Sequence, residues 1–230
     1  MPLARHTLLL AAWFALAATE AAAQTGVGAC VMGETRETTF GQNGLYGTGV
    51  TIYQWFDPAT CGFCLVSGGV IQMRSIEIQA YTSRPAPALI VATATFLGWK
   101  GSTSCPEPDE SVVTLAPQEV QFTVPASAQQ THFTLEAPIL GSPAYTQPGF
   151  VRLEFMTTQT IATDVAVGQI AAPNCTSCRQ YVTMALNGAM KVDACSGGAI
   201  YPWVVRPRGD CVAPVETRLA TWGRLKQFYH

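Results

Sequence analysis

Alternation of apolar and polar residues with a period of two is the feature that most narrows the folds open to this chain. In Glu119–Val124, Val120, Phe122 and Val124 alternate with Glu119, Gln121 and Thr123. Thr131–Ala137 sets Phe133, Leu135 and Ala137 against Thr134 and Glu136, and Val151–Phe155 sets Val151, Leu153 and Phe155 against Arg152 and Glu154. Successive side chains on a strand point to opposite faces, so each run predicts a half-buried strand. Ala88–Leu97 is almost wholly apolar or Thr, the pattern of a strand covered on both faces. In Ile71–Ala80 the phase slips: Ile71 and Met73 share one phase, Ile76, Ile78 and Ala80 the other. A slip at Arg74–Ser75 predicts a β-bulge, or a strand that bends between sheets. Further strands are expected at Val50–Phe56, Val112–Leu115, Val167–Ala171, Arg179–Met184 and Met190–Ala194. Ile200–Val205 is demoted to an edge or loop because Pro202 cannot donate to a ladder.

Turn signals punctuate these runs: Asn43-Gly44, Ser67-Gly68-Gly69, Pro85-Ala86-Pro87, Gly141-Ser142-Pro143, Pro148-Gly149, Asn187-Gly188 and Gly197-Gly198. Asn187-Gly188 is the strongest hairpin signal, since both residues tolerate positive φ. Many short strands with Gly/Pro turns predict an all-β fold, an antiparallel sandwich or jelly roll. The last stretch differs. Leu219, Trp222, Leu225 and Phe228 fall three residues apart, which predicts a short amphipathic helix in a tail spanning 215–230. That tail carries Arg218, Arg224 and Lys226 against Glu216, and it is expected to dock on the body or tether it to a surface.

The N-terminus reads as an export signal. Arg5 and His6 precede the apolar run Leu8–Ala17, followed by Ala21-Ala22-Ala23, a small-x-small cleavage site. The run is too short for a membrane anchor, which needs roughly 20 apolar residues. Residues 1–23 are therefore expected to be removed, leaving a body at 24–214 and the tail. Removal takes away Arg5 and Glu20, so the net charge stays at −2. No basic surplus exists to neutralise a phosphate backbone, which argues against nucleic-acid binding. The mature chain has no second run long enough to span a bilayer, so a secreted or surface location is expected.

Eight cysteines follow the signal: Cys30, Cys61, Cys64, Cys105, Cys175, Cys178, Cys195 and Cys211. An even number in an exported chain predicts disulfides. Sequence proximity favours Cys61–Cys64, Cys175–Cys178, Cys195–Cys211 and Cys30–Cys105, although eight half-cystines admit many pairings. Two CxxC pairs could alternatively hold zinc, but they lie far apart in sequence and the chain is exported, so disulfides are favoured. Cys61-Gly62-Phe63-Cys64 also has the spacing of a thioredoxin-like redox dithiol. That chemistry needs the motif to open a helix, and Leu65-Val66-Ser67-Gly68-Gly69 does not read as one.

Catalytic signatures are sparse. The mature chain holds only His132 and His230 as histidines, and His132, beside Phe133, reads as a solvent-facing strand position. No Gly-x-Ser-x-Gly, Walker or HExxH motif is present. Glu77, Glu136 and Glu154 occupy polar faces of predicted strands. Paired across a groove, two of them would suit glycoside hydrolysis, against the commoner reading of solvated surface acids. Glu107, Asp109 and Glu110 form an acidic loop beside Cys105 that could offer oxygen ligands to calcium but lacks the regular spacing of a calcium loop. Trp99, Tyr201 and Trp203 lie near strand ends and could offer stacking platforms for sugars, against the commoner role of packing. No cofactor or metal is expected.

The motif Thr221-Trp222-Gly223-Arg224-Leu225-Lys226-Gln227-Phe228-Tyr229 resembles the ending of a group of exported bacterial β-sandwich proteins with no assigned activity. The same group is similar to this chain in its CxxC before a late strand, as at Cys175 and Cys178. The resemblance implies bacterial export and no particular chemistry. The function expected is a non-catalytic extracellular binding or surface-structural module with a glycan partner. The alternatives are a polysaccharide hydrolase using groove carboxylates and a thiol–disulfide protein using Cys61 and Cys64.

Overall fold

The structure, a computed structural model, describes residues 29–34, 40–43, 49–62, 64, 68–83, 85–129, 131–156, 165–169, 176–183, 191–195 and 202–212. The expected signal 1–23, the tail with Leu219, Trp222, Leu225 and Phe228, Tyr201, Cys175 and the Asn187-Gly188 turn lie outside them. The described residues form β1 (Ala29–Val31), β2 (Phe40–Asn43), β3 (Thr51–Phe56), β4 (Val70–Thr82), β5 (Ala88–Gly101), β6 (Pro106–Val124) and β7 (Thr131–Pro138). After these come β8 (Ala144–Tyr145), β9 (Gly149–Phe155), β10 (Val165–Gln169), β11 (Gln180–Thr183), β12 (Val192–Asp193) and β13 (Val205–Val212). The protein is nearly all β, and its strands pair antiparallel.

The strands make two sheets. One is six-stranded, in the order β12-β11-β3-β9-β5-β6. The other is built around β4. Ile78 of β4 faces both Val205 of β13 and Leu135 of β7, and Ala80 faces both Phe133 of β7 and Val167 of β10. β13 and β10 therefore share one side of β4, and β7 takes the other together with β8. β1 lies beyond β13, and β2 lies beyond β10.

The phase slip in β4 is a bulge. Arg208 faces Ser75 and Gly209 faces Met73, which leaves Arg74 as the extra residue. With that residue taken up, Ile71, Met73, Ile76, Ile78 and Ala80 all point the same way and are fully buried. They share one core with Ile52 and Phe56 of β3, Ala92, Ala94 and Phe96 of β5, and Val151 and Leu153 of β9. Residues of both sheets thus pack on each other, each large side chain contributing about 1.5–3 kcal/mol. β13 is where the sequence expectation fails. Pro207 sits inside it opposite Ile76, and its carbonyl still accepts a hydrogen bond from Met32 N at 2.9 Å.

The disulfides replace the local pairing expected from proximity. Cys30 bonds Cys61, Cys64 bonds Cys211, and Cys105 bonds Cys178, with Cα–Cα distances of 5.9, 5.5 and 4.9 Å. The cause lies in the turn after β3. Asp57 caps a short 3-10 turn, Pro58–Cys61, its carboxylate accepting from Ala59 N at 2.8 Å. The turn carries the chain out of the six-stranded sheet and sets its two cysteines against different strands. Cys61 reaches β1 and Cys64 reaches β13, which are neighbours in the β4 sheet. Gly69 makes room: a Cβ there would sit 2.9 Å from Cys64 Sγ. The expected pairs Cys61–Cys64, Cys175–Cys178, Cys195–Cys211 and Cys30–Cys105 are all excluded by these bonds. So is the zinc reading, since the sulfurs of Cys61, Cys64 and Cys178 go to three different partners. Cys195 is also a half-cystine.

Candidate functional site

β5 and β6 form a hairpin too long for the sheet that starts it. They stay paired to Gly101 and Pro106. Between Ala94 and Gly98, β5 advances four residues while β6, from Gln118 to Asp109, advances nine. Extra residues on one strand raise its twist and bend it. At the bend Gly98 is required, because a Cβ would meet Val112 Cγ1 at 2.7 Å. The outer part of the hairpin consequently lies across the outward face of its own sheet. Cys105 bonds Cys178 just before β11. Tyr181 Oη donates to Pro106 O at 2.9 Å, and Arg179 Nη2 donates to Thr103 O at 3.3 Å.

Beneath the hairpin is a second, smaller core. Ile52 and Phe56 face the main core, so the intervening Tyr53 and Trp55 face outward. Register places Tyr53 between Arg152 and Tyr181, and Trp55 opposite Phe150. Tyr53, Trp55, Leu97, Phe150 and Tyr181 cluster, with Trp99 packed against them. Trp99 meets Trp55 edge-on at 5.6 Å and Phe150 meets it at 5.1 Å, contacts worth about 0.5–1.5 kcal/mol each. Arg179 lies 5.3 Å over the Trp55 ring, and Lys191 Nζ lies 4.9 Å over Tyr53.

Glu110 crowns this cluster. Its carboxylate accepts from Tyr53 Oη at 3.1 Å, from Arg152 Nη1 at 3.3 Å, and from Lys191 Nζ. The Lys191 hydrogen bond, more than any other influence, holds Glu110 below the usual carboxylate range. Burial first, then the Glu110 charge, pushes the Tyr53 phenol well above the usual phenol range. Burial likewise raises Tyr181, assisted by Asp193 and Glu107. Tyr53 is thus fixed as a donor and Glu110 as an anion. Neither is poised to exchange protons near neutrality, as a general acid or base must be.

Between the hairpin tip and the β11–β12 side a cavity of about 200 Å³ remains, lined by Lys100, Glu107, Pro108, Tyr181 and Lys191. Its walls offer one aromatic ring and three long charged side chains. Trp99, paired opposite Pro108, stands next to Lys100 and is half-buried.

The residues singled out from sequence scatter. Trp99 packs against Trp55 beneath the hairpin, next in sequence to Lys100 of the cavity wall but outside that wall. Trp203 is 1% exposed, in the main core, with its backbone N donating to Gln180 Oε1 at 2.7 Å. Core burial removes it as a stacking platform, and it corrects the surface position expected from Pro202. Glu77 and Glu136 are cross-strand neighbours on β4 and β7, while Glu154 is on β9 in the other sheet. Arg208 Nη1 lies 3.3 Å from both Glu77 and Glu136, filling the space between them. His132 packs its ring against Tyr81 at 4.4 Å. The acidic run Glu107, Asp109 and Glu110 is not a loop but the start of β6. Asp109 there accepts from Ser111 N and Oγ, and Glu110 turns to Lys191. Sequence reasoning passed over Tyr53, Glu110, Tyr181 and Lys191 as a group. The available signal was aromatic residues in both phases of Thr51–Phe56.

Comparison with protein-family profiles, with curated protein sequences and with solved structures finds no match to this chain. No helix among the described residues is long and apolar enough to cross a membrane. That fact and the disulfides are consistent with an extracellular protein.

Proposed function

We propose that the chain is an exported, non-catalytic binding module: a two-layer antiparallel sandwich, residues 24–214, that takes a sugar unit in the cavity beside Trp99. One observation carries this reading, the mixture of groups around the cavity. Tyr181 supplies an apolar ring, with Trp99 adjoining Lys100 and Pro108 of the wall, and Lys100, Glu107 and Lys191 supply donors and acceptors for hydroxyls. Sugar recognition needs that combination of flat apolar surface and polar rim. The volume is below the roughly 300–1,000 Å³ of sites that enclose drug-sized ligands, which suits one ring of a longer chain held at the surface. Binding rather than chemistry is favoured because Glu110 stays ionised and Tyr53 stays protonated around neutral pH. The hydrolase reading loses the carboxylate pair Glu77 and Glu136, because Arg208 lies between them. The thiol–disulfide reading is dropped because Cys61 and Cys64 are bonded to Cys30 and Cys211 rather than to each other.

The test is calorimetric titration of the oxidised mature protein with oligosaccharides chosen from a glycan array. Trp99→Ala is expected to weaken binding about tenfold, the worth of one ring–ligand contact near 1.5 kcal/mol, and to lower the melting temperature as well because the ring packs on Trp55, so circular dichroism checks that the variant titrated is folded. An array on which the native protein captures no glycan defeats the proposal, as does Trp99→Ala binding with native affinity.

A further inference from the structure

The three mapped disulfides sit in two different environments. Cys30, Cys61, Cys64 and Cys211 are 2%, 5%, 0% and 6% exposed. Cys105 is exposed and Cys178 half-buried. The buried bridges join the turn after β3 to the β4 sheet. The surface bridge joins the tip of the β5–β6 hairpin to the residues before β11, across the aromatic cluster and the cavity. Besides that bridge the tip is held by the Tyr181 and Arg179 hydrogen bonds and by the contacts of Glu110 and Trp99.

We propose that Cys105–Cys178 is a redox-cleavable latch: when it is reduced, the hairpin tip lifts off β11 and exposes Tyr53, Trp55 and Tyr181. The bridge holds the hairpin that walls the cavity proposed above as the sugar site, and its opening can be read without any sugar. The reductant is a dithiol. One thiolate attacks the exposed Cys105 Sγ, forming a mixed disulfide and releasing the Cys178 thiolate, which takes up a proton. The second thiol of the reductant then closes its own disulfide and frees Cys105 as a thiol. Two electrons and two protons pass to the protein, and the dithiol leaves oxidised. Access decides the order of reduction, because the attacking thiolate must reach a sulfur in line with the S–S bond. The buried bridges do not offer one.

The full oxidised protein is incubated with graded dithiothreitol under native conditions, then alkylated and peptide-mapped. Cys105 and Cys178 are expected to be labelled together, about tenfold faster than Cys30, Cys61, Cys64 and Cys211. Hydroxyl-radical footprinting of the same samples is expected to show Tyr53 and Trp55 becoming reactive at the same reductant concentration, while Phe56 and Phe96 stay protected. Cys195 is half-buried and is followed separately. The Cys105→Ser, Cys178→Ser double variant assigns the opening to this bridge by exposing Tyr53 and Trp55 without reductant. Labelling of a buried bridge first, labelling of all bridges at once, or reduced Cys105 and Cys178 with Tyr53 and Trp55 still protected overturns the latch. If the double variant does not accumulate, reduction of the native protein decides alone. Opening with no glycan bound in either state sinks the sugar reading and keeps the latch. Glycan binding with no opening sinks the latch only.

Discussion

Glu77 and Glu110 are both carboxylates set among cations on sheet faces, and they have opposite surroundings. Glu77, on β4, is 7% exposed and its partner Arg206 8%. Arg206 Nη1 lies 2.7 Å from Glu77 Oε1, and Arg208 Nη1 lies 3.3 Å from Glu77 Oε2. Arg206 Nε also donates to Glu34 O, and Ser75 Oγ donates to Glu136. Glu110, on β6, is 43% exposed, and its partners Lys191 and Arg152 are 34% and 19% exposed. Its partner Lys191 lines the cavity and can exchange a protein contact for a contact with solvent at little cost. Buried ions that lose a partner are stranded without water, whereas half-exposed ones are re-solvated. The same residue types therefore make a buried fastening on one sheet and a half-exposed cluster, the edge proposed for binding, on the other.

Breaking the buried network gives the largest expected effect. Glu77→Gln keeps the shape of the side chain but removes the buried carboxylate that Arg206 meets at 2.7 Å and Arg208 at 3.3 Å, at a cost of about 3–5 kcal/mol. For a domain of this size each kcal/mol moves the melting temperature by about 2–4 °C, so calorimetry of the oxidised protein should show a fall of about 10 °C. A fall under about 2 °C would mean that the network is re-solvated as readily as Glu110, and the contrast between the two faces would be lost.

The contrast also divides what the sequence could tell. Patterns local to one strand were legible. Val120, Phe122 and Val124 are buried as their alternation requires, and so are Val151, Leu153 and Phe155. The bulge at Arg74 followed from a phase slip within ten residues. Leu89, at 36% exposed, marks a limit, because the apolar start of β5 is covered on one face only. Contacts that join distant segments were not legible. β13 was not among the expected strands, and Pro207 and Gly209 among the charges Arg206, Arg208 and Asp210 give it no local strand pattern. Those charges face Glu77 and Arg74 on β4, partners that no local pattern announces. The disulfides were mispaired for the same reason. Cys61 and Cys64 are close in sequence, yet the turn aims them at separate strands, and proximity along the chain carries no information about aim. The cavity depends on a hairpin that bends because β6 outgrows β5, a mismatch visible only when the two strands are paired.

A middle-sized effect sharpens the comparison. Tyr53→Phe keeps the ring in the aromatic cluster and removes only the hydroxyl that donates to Glu110. The loss should be about 1 kcal/mol, since Glu110 retains Lys191 and Arg152 and stays hydrated. Chemical denaturation at pH 7 measures it. A loss above about 3 kcal/mol would place Glu110 with Glu77, as an anion that depends on every one of its donors.

The smallest effect is the most specific, the pH dependence carried by Glu110. Its folded pKa is held low, chiefly by the Lys191 hydrogen bond and charge and by the Tyr53 hydroxyl, against an opposing push from partial burial. A carboxyl depressed in the folded state stabilises the fold at pH above its unfolded value near ~4.3, and that contribution disappears as pH falls through the folded value. Glu110→Gln should therefore lower stability slightly at pH 7, by under about 1 kcal/mol given its exposure and screening by salt. Native and variant curves should converge as the pH is lowered below the usual carboxylate range, and 0.5 M salt, roughly a Debye length of 4 Å, should narrow the gap at pH 7. Glu77→Gln should keep most of its deficit in the same salt, because its closest partner, Arg206, is only 8% exposed. Equal salt sensitivity at the two positions would erase the distinction between fastening and binding edge. A gap for Glu110→Gln that persists undiminished in acid would show that the amide disturbs packing rather than charge.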